Sequence, residues 1–138
     1  MDKKKNILKV IVVDDQKTFR DGLIFYLTTE LGFEVIDQAS NGREVINMKS
    51  IRDADLIFID IEMPEINGIE AAKRILWHYP KLPIIAITLY KDKVYLRQLI
   101  EAGIKGCIYK NDLFGELEKA VQTVLSDEFY FPKAINIG

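Results

Sequence analysis

The feature that most constrains the fold is a strict alternation between short apolar runs and longer segments with helical spacing. Five short runs are rich in Val, Ile and other apolar residues, and a helical pattern follows each of them. The runs cover residues 9–13, 33–39, 56–60, 83–88 and 106–110. Such alternation predicts an α/β domain in which a parallel sheet with right-handed crossovers carries helices on both faces. The run at 33–39 alternates apolar with polar residues, which is typical of an edge strand.

The helices are marked by apolar spacing and by capping residues. The segment after residue 16 has an apolar side chain at every fourth position: Phe19, Leu23, Leu27 and Leu31. Gly32 is placed to end that helix. Asn67, with Glu70 three residues later, matches a capping box and predicts the start of another helix. The last helix is expected over residues 113–125.

The composition is that of an ordinary globular protein of one domain, with 138 residues, 49% hydrophobic and 29% charged. A net charge of −2 argues against a surface built mainly for nucleic acid. The single cysteine, Cys107, cannot form an intramolecular disulfide, so a cytoplasmic location is expected. No apolar run is long enough for a signal peptide or a membrane span, so no membrane partner is expected. The lysines at 3–5 predict a solvated terminus.

Reactive polar side chains stand at the end, or directly after the end, of four of the five runs. They are Asp14, Asp15, Asp60, Thr88 and Lys110. The carboxyl ends of parallel strands meet at one edge of the sheet, and ligands bind at that edge in open α/β folds. These five side chains are therefore predicted to converge on a single site.

The chemistry of this set points to a metal-assisted phosphoryl site. Carboxylates packed together repel one another unless a cation joins them, and oxygen ligands suit Mg²⁺. Lys110 can pair with a phosphoryl oxygen, and the hydroxyl of Thr88 can donate a hydrogen bond to another. Asp60 ends the middle strand and is the candidate covalent acceptor.

In this combination the chain resembles the receiver domain of a two-component response regulator. The residues that carry the resemblance are Asp14-Asp15, Asp60 with Met63-Pro64 and Asn67-Gly68, Thr88, and Lys110. The resemblance spans residues 10–125 and implies a flavodoxin-like (βα)5 doubly wound sheet with strand order 2-1-3-4-5. It also implies that the chain is no enzyme in the usual sense, since a receiver catalyses only its own phosphorylation and dephosphorylation.

The resemblance implies a role for each residue of the site. Asp60 would be phosphorylated by a cognate sensor histidine kinase in a Mg²⁺-dependent reaction. Asp15 would bind Mg²⁺ directly, Asp14 mainly through water, and the backbone carbonyl of Glu62 would complete the protein's metal ligands. Thr88 and Lys110 would hold the phosphoryl group, and these events would change partner or dimer contacts. The resemblance thus also implies that a second copy of the chain is a partner, in a homodimer.

Three stretches are similar to regulators of the NarL/LuxR type: residues 87–92, 110–113 and 129–132. Proteins of that type are transcription regulators that continue through a linker into a helix-turn-helix domain. We therefore expect a receiver domain over residues 1–127 and the start of a C-terminal linker over 128–138. DNA would be bound only through a domain that this chain does not contain.

The chain departs from the family pattern at two positions. Cys107 stands where receivers usually carry the Tyr or Phe that acts as a rotating switch, and is expected to be a small buried hydrophobic residue. Leu89 is bulkier than the residue that many receivers carry after the threonine. Glu62 is expected to be exposed beside the site, and His78, the single histidine, to be a surface residue.

Three other functions compete with the receiver hypothesis. A phosphorylation-independent receiver-like module remains the main alternative because the aromatic switch is missing at Cys107. A small phosphohydrolase usually has an Asp-x-Asp motif at its first strand, which Asp14-Asp15-Gln16 does not match. Direct DNA binding is poorly supported because the chain is acidic and has no recognisable helix-turn-helix.

Overall fold

The computed structural model of the chain describes residues 7–89 and 93–132. Three parts of the sequence predictions lie outside these ranges: the lysines at 3–5, residues 90–92 of the NarL/LuxR-like stretch, and residues 133–138 of the expected linker. The strands are β1 (Lys9–Val13), β2 (Glu34–Ala39), β3 (Leu56–Asp60), β4 (Ile84–Thr88) and β5 (Gly106–Tyr109). The α-helices are α1 (Lys17–Thr29), α2 (Gly42–Ile46), α3 (Gly68–His78), α4 (Lys93–Ala102) and α5 (Leu113–Leu125).

The five strands form one parallel sheet with the order β2-β1-β3-β4-β5. The chain thus has the predicted (βα)5 architecture, and the strand order that the resemblance implied is confirmed. The central strands β3 and β4 are buried along their whole length because helices cover both of their faces. Two 3₁₀ turns, Lys49–Asp53 and Lys110–Asp112, were not predicted from the sequence.

The sheet separates two hydrophobic cores. On one face, side chains of α2, α3 and α4 pack against alternate strand residues such as Ile11, Ile57 and Ile59. On the other face, α1 and α5 pack against the intervening residues, among them Val12 and Phe58. This division follows from the period of two along each strand, which sends neighbouring side chains to opposite faces.

The predicted start of α3 after Asn67 and the predicted bounds of α5 agree with the structure, whereas α1 ends earlier than expected. The side chain of Asn67 caps α3 by accepting a hydrogen bond from the backbone N–H of Glu70 at 2.9 Å. Helix α1 ends at Thr29, two residues before Leu31, so Leu31 lies in the turn that follows. Gly32 then takes a left-handed conformation with φ of 70°, which glycine adopts without steric cost.

The segment after α5 returns to the sheet edge. The backbone N–H of Tyr130 donates to the carbonyl of Lys105 at 3.0 Å, and the N–H of Cys107 donates to the carbonyl of Tyr130 at 2.9 Å. Tyr130 therefore forms a parallel bridge with Gly106 at the start of β5. Within the described ranges, no helix is both long and apolar enough to cross a membrane.

Candidate functional site

The sheet brings the predicted site residues together at the carboxyl ends of its strands. Oxygen atoms of Asp14, Asp15 and Asp60 all lie within 4.8 Å of one another. Asp14 and Asp60 are 1% and 3% exposed, whereas Asp15 is exposed to solvent. Asp60 pairs across the sheet with Ile87, so Thr88 lies one residue further along the neighbouring strand. The juxtaposition predicted from the order of strand ends is therefore present.

Arg20 holds in place the loop after β1, which carries Asp14 and Asp15. Its guanidinium donates to the backbone carbonyl of Asp14 at 2.6 Å and to the side-chain oxygen of Gln38 at 2.8 Å. The backbone N–H of Gln16 donates to Asp14 Oδ1 at 2.8 Å, which orients that carboxylate. Arg20 was not predicted from the sequence; its place in the first turn of α1, a few residues after the Asp-Asp pair, is the signal that could have marked it.

A second constraint on the site is the close approach of the loop after β3. The backbone N–H of Gly68 donates to the carbonyl of Ile61 at 2.9 Å. A Cβ atom at Gly68 would lie only 2.2 Å from the backbone carbonyl oxygen of Asp60. Gly68 is required here because a side chain would collide with the backbone of the central carboxylate, so the Asn-Gly pair is both a helix start and a packing contact.

The environment of Asp60 disfavours its negative charge. Burial raises its pKa to about 8, and the nearby carboxylates of Asp14 and Glu62 add to the rise, while the ammonium of Lys110 opposes it. The Oδ1 atom of Asp60 accepts a hydrogen bond from the backbone N–H of Glu62 at 3.3 Å. The site therefore has more negative than positive charge near Asp60.

The donor set fits a hard divalent cation. No described residue donates a well-directed hydrogen bond to the buried Oδ2 atom of Asp14, although Lys110 Nζ lies 3.0 Å away. A carboxylate oxygen in this state, next to two further carboxylates, suits a cation that prefers oxygen ligands, such as Mg²⁺. Asp14, Asp15 and Asp60 are the side chains that could hold it.

Lys110 is held inside the acidic cluster. Its ammonium lies 3.0 Å from Asp14 Oδ2 and 3.7 Å from Asp60 Oδ2, and it donates to the side-chain oxygen of Gln16 at 3.2 Å. It also lies 4.3 Å from the centre of the Phe19 ring, a distance suited to a cation–π contact. The side chain is only 7% exposed, so this positive charge is fixed beside Asp60.

Thr88 is buried, and its hydroxyl donates to the side chain of Glu62. The Oγ1 atom lies 2.9 Å and 3.1 Å from the two carboxylate oxygens of Glu62. The expectation that Glu62 is exposed was wrong: the residue is partly buried because its side chain turns back over Thr88. Burial raises the pKa of Glu62, and the hydrogen bond from Thr88 opposes that rise.

Two further residues occupy the places that the sequence analysis expected. Cys107 is 1% exposed and packs in the core beneath α4. Burial raises the pKa of its thiol to about 12, with a contribution from the carboxylate of Glu62, so the thiol stays neutral. His78 is the exposed last residue of α3, and it lies away from the carboxyl ends of the strands.

A family profile and individual known proteins both match this chain. The sequence profile of the family described as "Response regulator receiver domain" matches residues 10–122. The transcriptional regulatory protein LnrK of Bacillus subtilis (strain 168) is 32% identical over 126 residues, which cover 91% of this chain and 57% of LnrK. The response regulator GacA of Pseudomonas syringae pv. syringae (strain B728a) is 29% identical over 129 residues, covering 94% of this chain and 60% of GacA. The chain therefore spans less than two thirds of the length of either relative.

Solved structures show the same fold. A LuxR-family two-component response regulator from Aurantimonas sp. SI85-9A1 superposes with a TM-score of 0.87 at 22% identity, covering 94% of this chain and 93% of that one. The isolated REC domain of RcsB from Salmonella enterica serovar Typhimurium, solved with the phosphomimetic BeF3⁻, gives a TM-score of 0.81 at 25% identity, with 94% and 96% covered. The family profile over residues 10–122 establishes that the chain belongs to the response regulator receiver domain family, and the solved structures share its fold.

Proposed function

We propose that the chain is a phosphoacceptor switch of a two-component pathway, and that Asp60 receives the phosphoryl group. One observation carries this proposal. Asp60 is buried at the end of the central strand, with the carboxylates of Asp14 and Asp15 within 4.8 Å and the ammonium of Lys110 at 3.7 Å. An acceptor, a cation site and a fixed positive charge are the parts that phosphoryl transfer to a carboxylate needs.

In the proposed reaction a carboxylate oxygen of Asp60 attacks the phosphorus of a phosphodonor. A bond between that oxygen and phosphorus forms as the bond from phosphorus to the donor's leaving atom breaks, and the leaving atom keeps the electron pair. The reaction requires the ionised form of Asp60, whose pKa of about 8 keeps much of it protonated at neutral pH when no cation is bound.

We assign the proposed metal site to the side chains of Asp14, Asp15 and Asp60 together with the backbone carbonyl of Glu62. Bound Mg²⁺ would supply positive charge that favours the carboxylate form of Asp60 and stabilises the phosphoryl oxygens. Lys110 needs only a small movement to pair with a phosphoryl oxygen on Asp60, since its ammonium already lies nearby. Thr88 lies at the end of the neighbouring strand, and its hydroxyl would donate to another phosphoryl oxygen.

The wider role follows from the relatives rather than from this site. LnrK is described as a transcriptional regulatory protein, and the chain covers 57% of it. We propose that a cytoplasmic sensor pathway with a histidine kinase phosphorylates this receiver. We further propose that residues 128–138 begin a linker to a DNA-binding domain of the LuxR type in a longer protein, with residues 1–127 as the receiver domain.

Dependence on the metal tests the chemistry. Incubation with acetyl phosphate and Mg²⁺ should add the mass of one phosphoryl group to the intact chain, and excess EDTA should abolish the addition. Asp15→Asn should weaken Mg²⁺ binding in calorimetry and slow the addition, whereas Asp53→Asn, which changes an exposed aspartate outside the site, should do neither. Equal labelling with and without Mg²⁺ would contradict the proposed metal site. Absence of labelling in the natural chain would favour the phosphorylation-independent module.

A further inference from the structure

The carboxylate of Glu62 accepts a hydrogen bond from the Thr88 hydroxyl, the group that the proposed phosphoryl chemistry needs as a donor. Both of its oxygens lie within hydrogen-bond distance of Thr88 Oγ1, at 2.9 Å and 3.1 Å. A threonine hydroxyl carries a single proton, which the two oxygens of Glu62 share here. The same proton cannot be donated to Glu62 and to a phosphoryl oxygen at once.

The two acceptors are also electrostatically incompatible. Glu62 already contributes to the unfavourable negative charge at Asp60, and a phosphoryl group on Asp60 would add more negative charge. Hydrogen bonds to ionised acceptors are roughly twice as strong as neutral ones, so the bond to Glu62 is a substantial competitor. Because the Glu62 side chain is only partly buried, it can turn out to solvent without disturbing either core.

We propose that Glu62 is a built-in competitor of the phosphoryl group: its carboxylate holds the Thr88 hydroxyl in the unphosphorylated protein and must be displaced before Thr88 can bind the phosphoryl group. Glu62 is thus a positioning residue that acts through Thr88 and lowers the affinity of the site for a phosphoryl group. The inference rests on the proposed function of Asp60. It assigns to the Glu62 side chain a role separate from that of its backbone carbonyl in the metal site.

The test measures the affinity of the full chain for BeF3⁻, the phosphomimetic used with the RcsB receiver, in the presence of Mg²⁺. Glu62→Ala removes the competing acceptor and should tighten binding by roughly tenfold, the size expected for one hydrogen bond to a charged group. Glu62→Gln keeps a neutral acceptor, and its affinity for BeF3⁻ should lie between those of the natural chain and Glu62→Ala. Glu65→Gln is the matched control, because it removes one negative charge from the same loop at an exposed residue that pairs with Arg43.

A double-mutant cycle separates competition from a general structural effect. In a Thr88→Val background the contested hydroxyl is absent, so Glu62→Ala should there change the affinity for BeF3⁻ by less than twofold. Unchanged affinity in Glu62→Ala, an equal gain in Glu65→Gln, or the same gain in the Thr88→Val background would each overturn the inference. If neither the natural chain nor any variant binds BeF3⁻, the proposed function falls, and this inference falls with it.

Discussion

Lys110 Nζ lies 3.0 Å from Asp14 Oδ2 but 3.7 Å from Asp60 Oδ2, so the fixed ammonium is closer to a proposed metal ligand than to the proposed phosphoacceptor. In this state Lys110 partly neutralises the carboxylates that would hold Mg²⁺. Lysine and metal therefore share one acidic cluster, and each is expected to weaken the binding of the other.

This relationship predicts that removal of Lys110 strengthens metal binding. Lys110→Met should raise the affinity for Mg²⁺ by roughly three- to tenfold, because one buried positive charge no longer repels the cation. Loss of the lysine also favours protonation of Asp60, which opposes metal binding. The gain in metal affinity should be larger, because a divalent cation carries twice the charge of a proton and responds more strongly to the same change in electrostatic potential. Calorimetric titration at pH 8 checks the prediction, with Lys105→Met, at a lysine paired with Asp127 away from the site, as the control. A weaker affinity in Lys110→Met would contradict it.

The raised pKa of Asp60 predicts how stability depends on pH in the absence of metal. The pKa is about 8 in the folded protein, against 3.8 as its ordinary value. Between these values the folded state keeps a proton that the unfolded chain has lost, so the contribution of Asp60 to stability falls as pH rises from about 4 to about 8. Asp60→Asn should therefore be more stable than the natural chain at pH 8 by on the order of 1–3 kcal/mol, and the difference should vanish near pH 4.

Urea unfolding with EDTA, at a series of pH values, measures this difference. Asp53→Asn provides the control for loss of an ordinary exposed carboxylate, and it should track the natural chain. Added Mg²⁺ should raise the stability of the natural chain at pH 8 but not that of Asp60→Asn to the same extent. A stability gain for Asp60→Asn that is independent of pH would show that burial of the charge is not its cause.

The contact between Gly68 and the backbone of Asp60 predicts a site that tolerates no side chain. Gly68→Ala would place a Cβ atom 2.2 Å from a backbone carbonyl oxygen, which cannot move as a side chain could. We expect a loss of ~2–4 kcal/mol in the free energy of unfolding and a slower phosphorylation of Asp60. Gly115→Ala in α5 is the matched control, since nothing lies within 4 Å of its added Cβ atom, and it should be neutral or stabilising. Equal stability of the two variants in urea unfolding would refute the contact's role.

The sequence, together with its family resemblance, was sufficient to predict the fold and which strand-end side chains lie close together. The apolar runs specify the strands, and an acid, a hydroxyl or an ammonium at their ends specifies one edge of a parallel sheet. Asp60 and Thr88 could be placed together because each stands at the carboxyl end of a strand, and the two strands are neighbours in the sheet. The capping box at Asn67 was equally readable because it is a local interaction.

The sequence could not predict contacts that depend on side-chain conformation or on distant segments. Whether Glu62 points to solvent or back to Thr88 is decided by a few rotamers over a site with several charges. Arg20 reaches Gln38 across the first crossover, and no local pattern encodes that pair. The return of Tyr130 to β5 likewise joins residues that are close only in the folded domain.

The segment after α5 is expected to contribute to the stability of the receiver. The hydroxyl of Tyr130 donates to Glu116 at 2.6 Å, and burial together with this carboxylate raises the pKa of Tyr130 to about 12, so the donor stays protonated. Tyr130→Phe should cost about 1–2 kcal/mol in urea unfolding. Tyr26→Phe, which removes a hydroxyl whose contact with the carbonyl of Phe114 is a long 3.4 Å, should cost less.

Truncation after residue 127 tests where the folded receiver domain ends. It removes the two backbone hydrogen bonds between Tyr130 and the start of β5, so the shortened chain should be less stable than Tyr130→Phe. Unchanged stability on truncation would place the end of the folded receiver at residue 127 and assign the segment from residue 128 to the linker alone.

The intact mass of the chain after incubation with Mg²⁺ and acetyl phosphate, measured in parallel on Asp60→Asn and Asp53→Asn, decides whether Asp60 is the phosphoacceptor. We expect the natural chain and Asp53→Asn each to gain the mass of one phosphoryl group and Asp60→Asn to gain none. Retention of the added mass in Asp60→Asn would contradict the assignment of the acceptor. No added mass in the natural chain, while a known receiver is labelled under the same conditions, would contradict the phosphoryl switch itself.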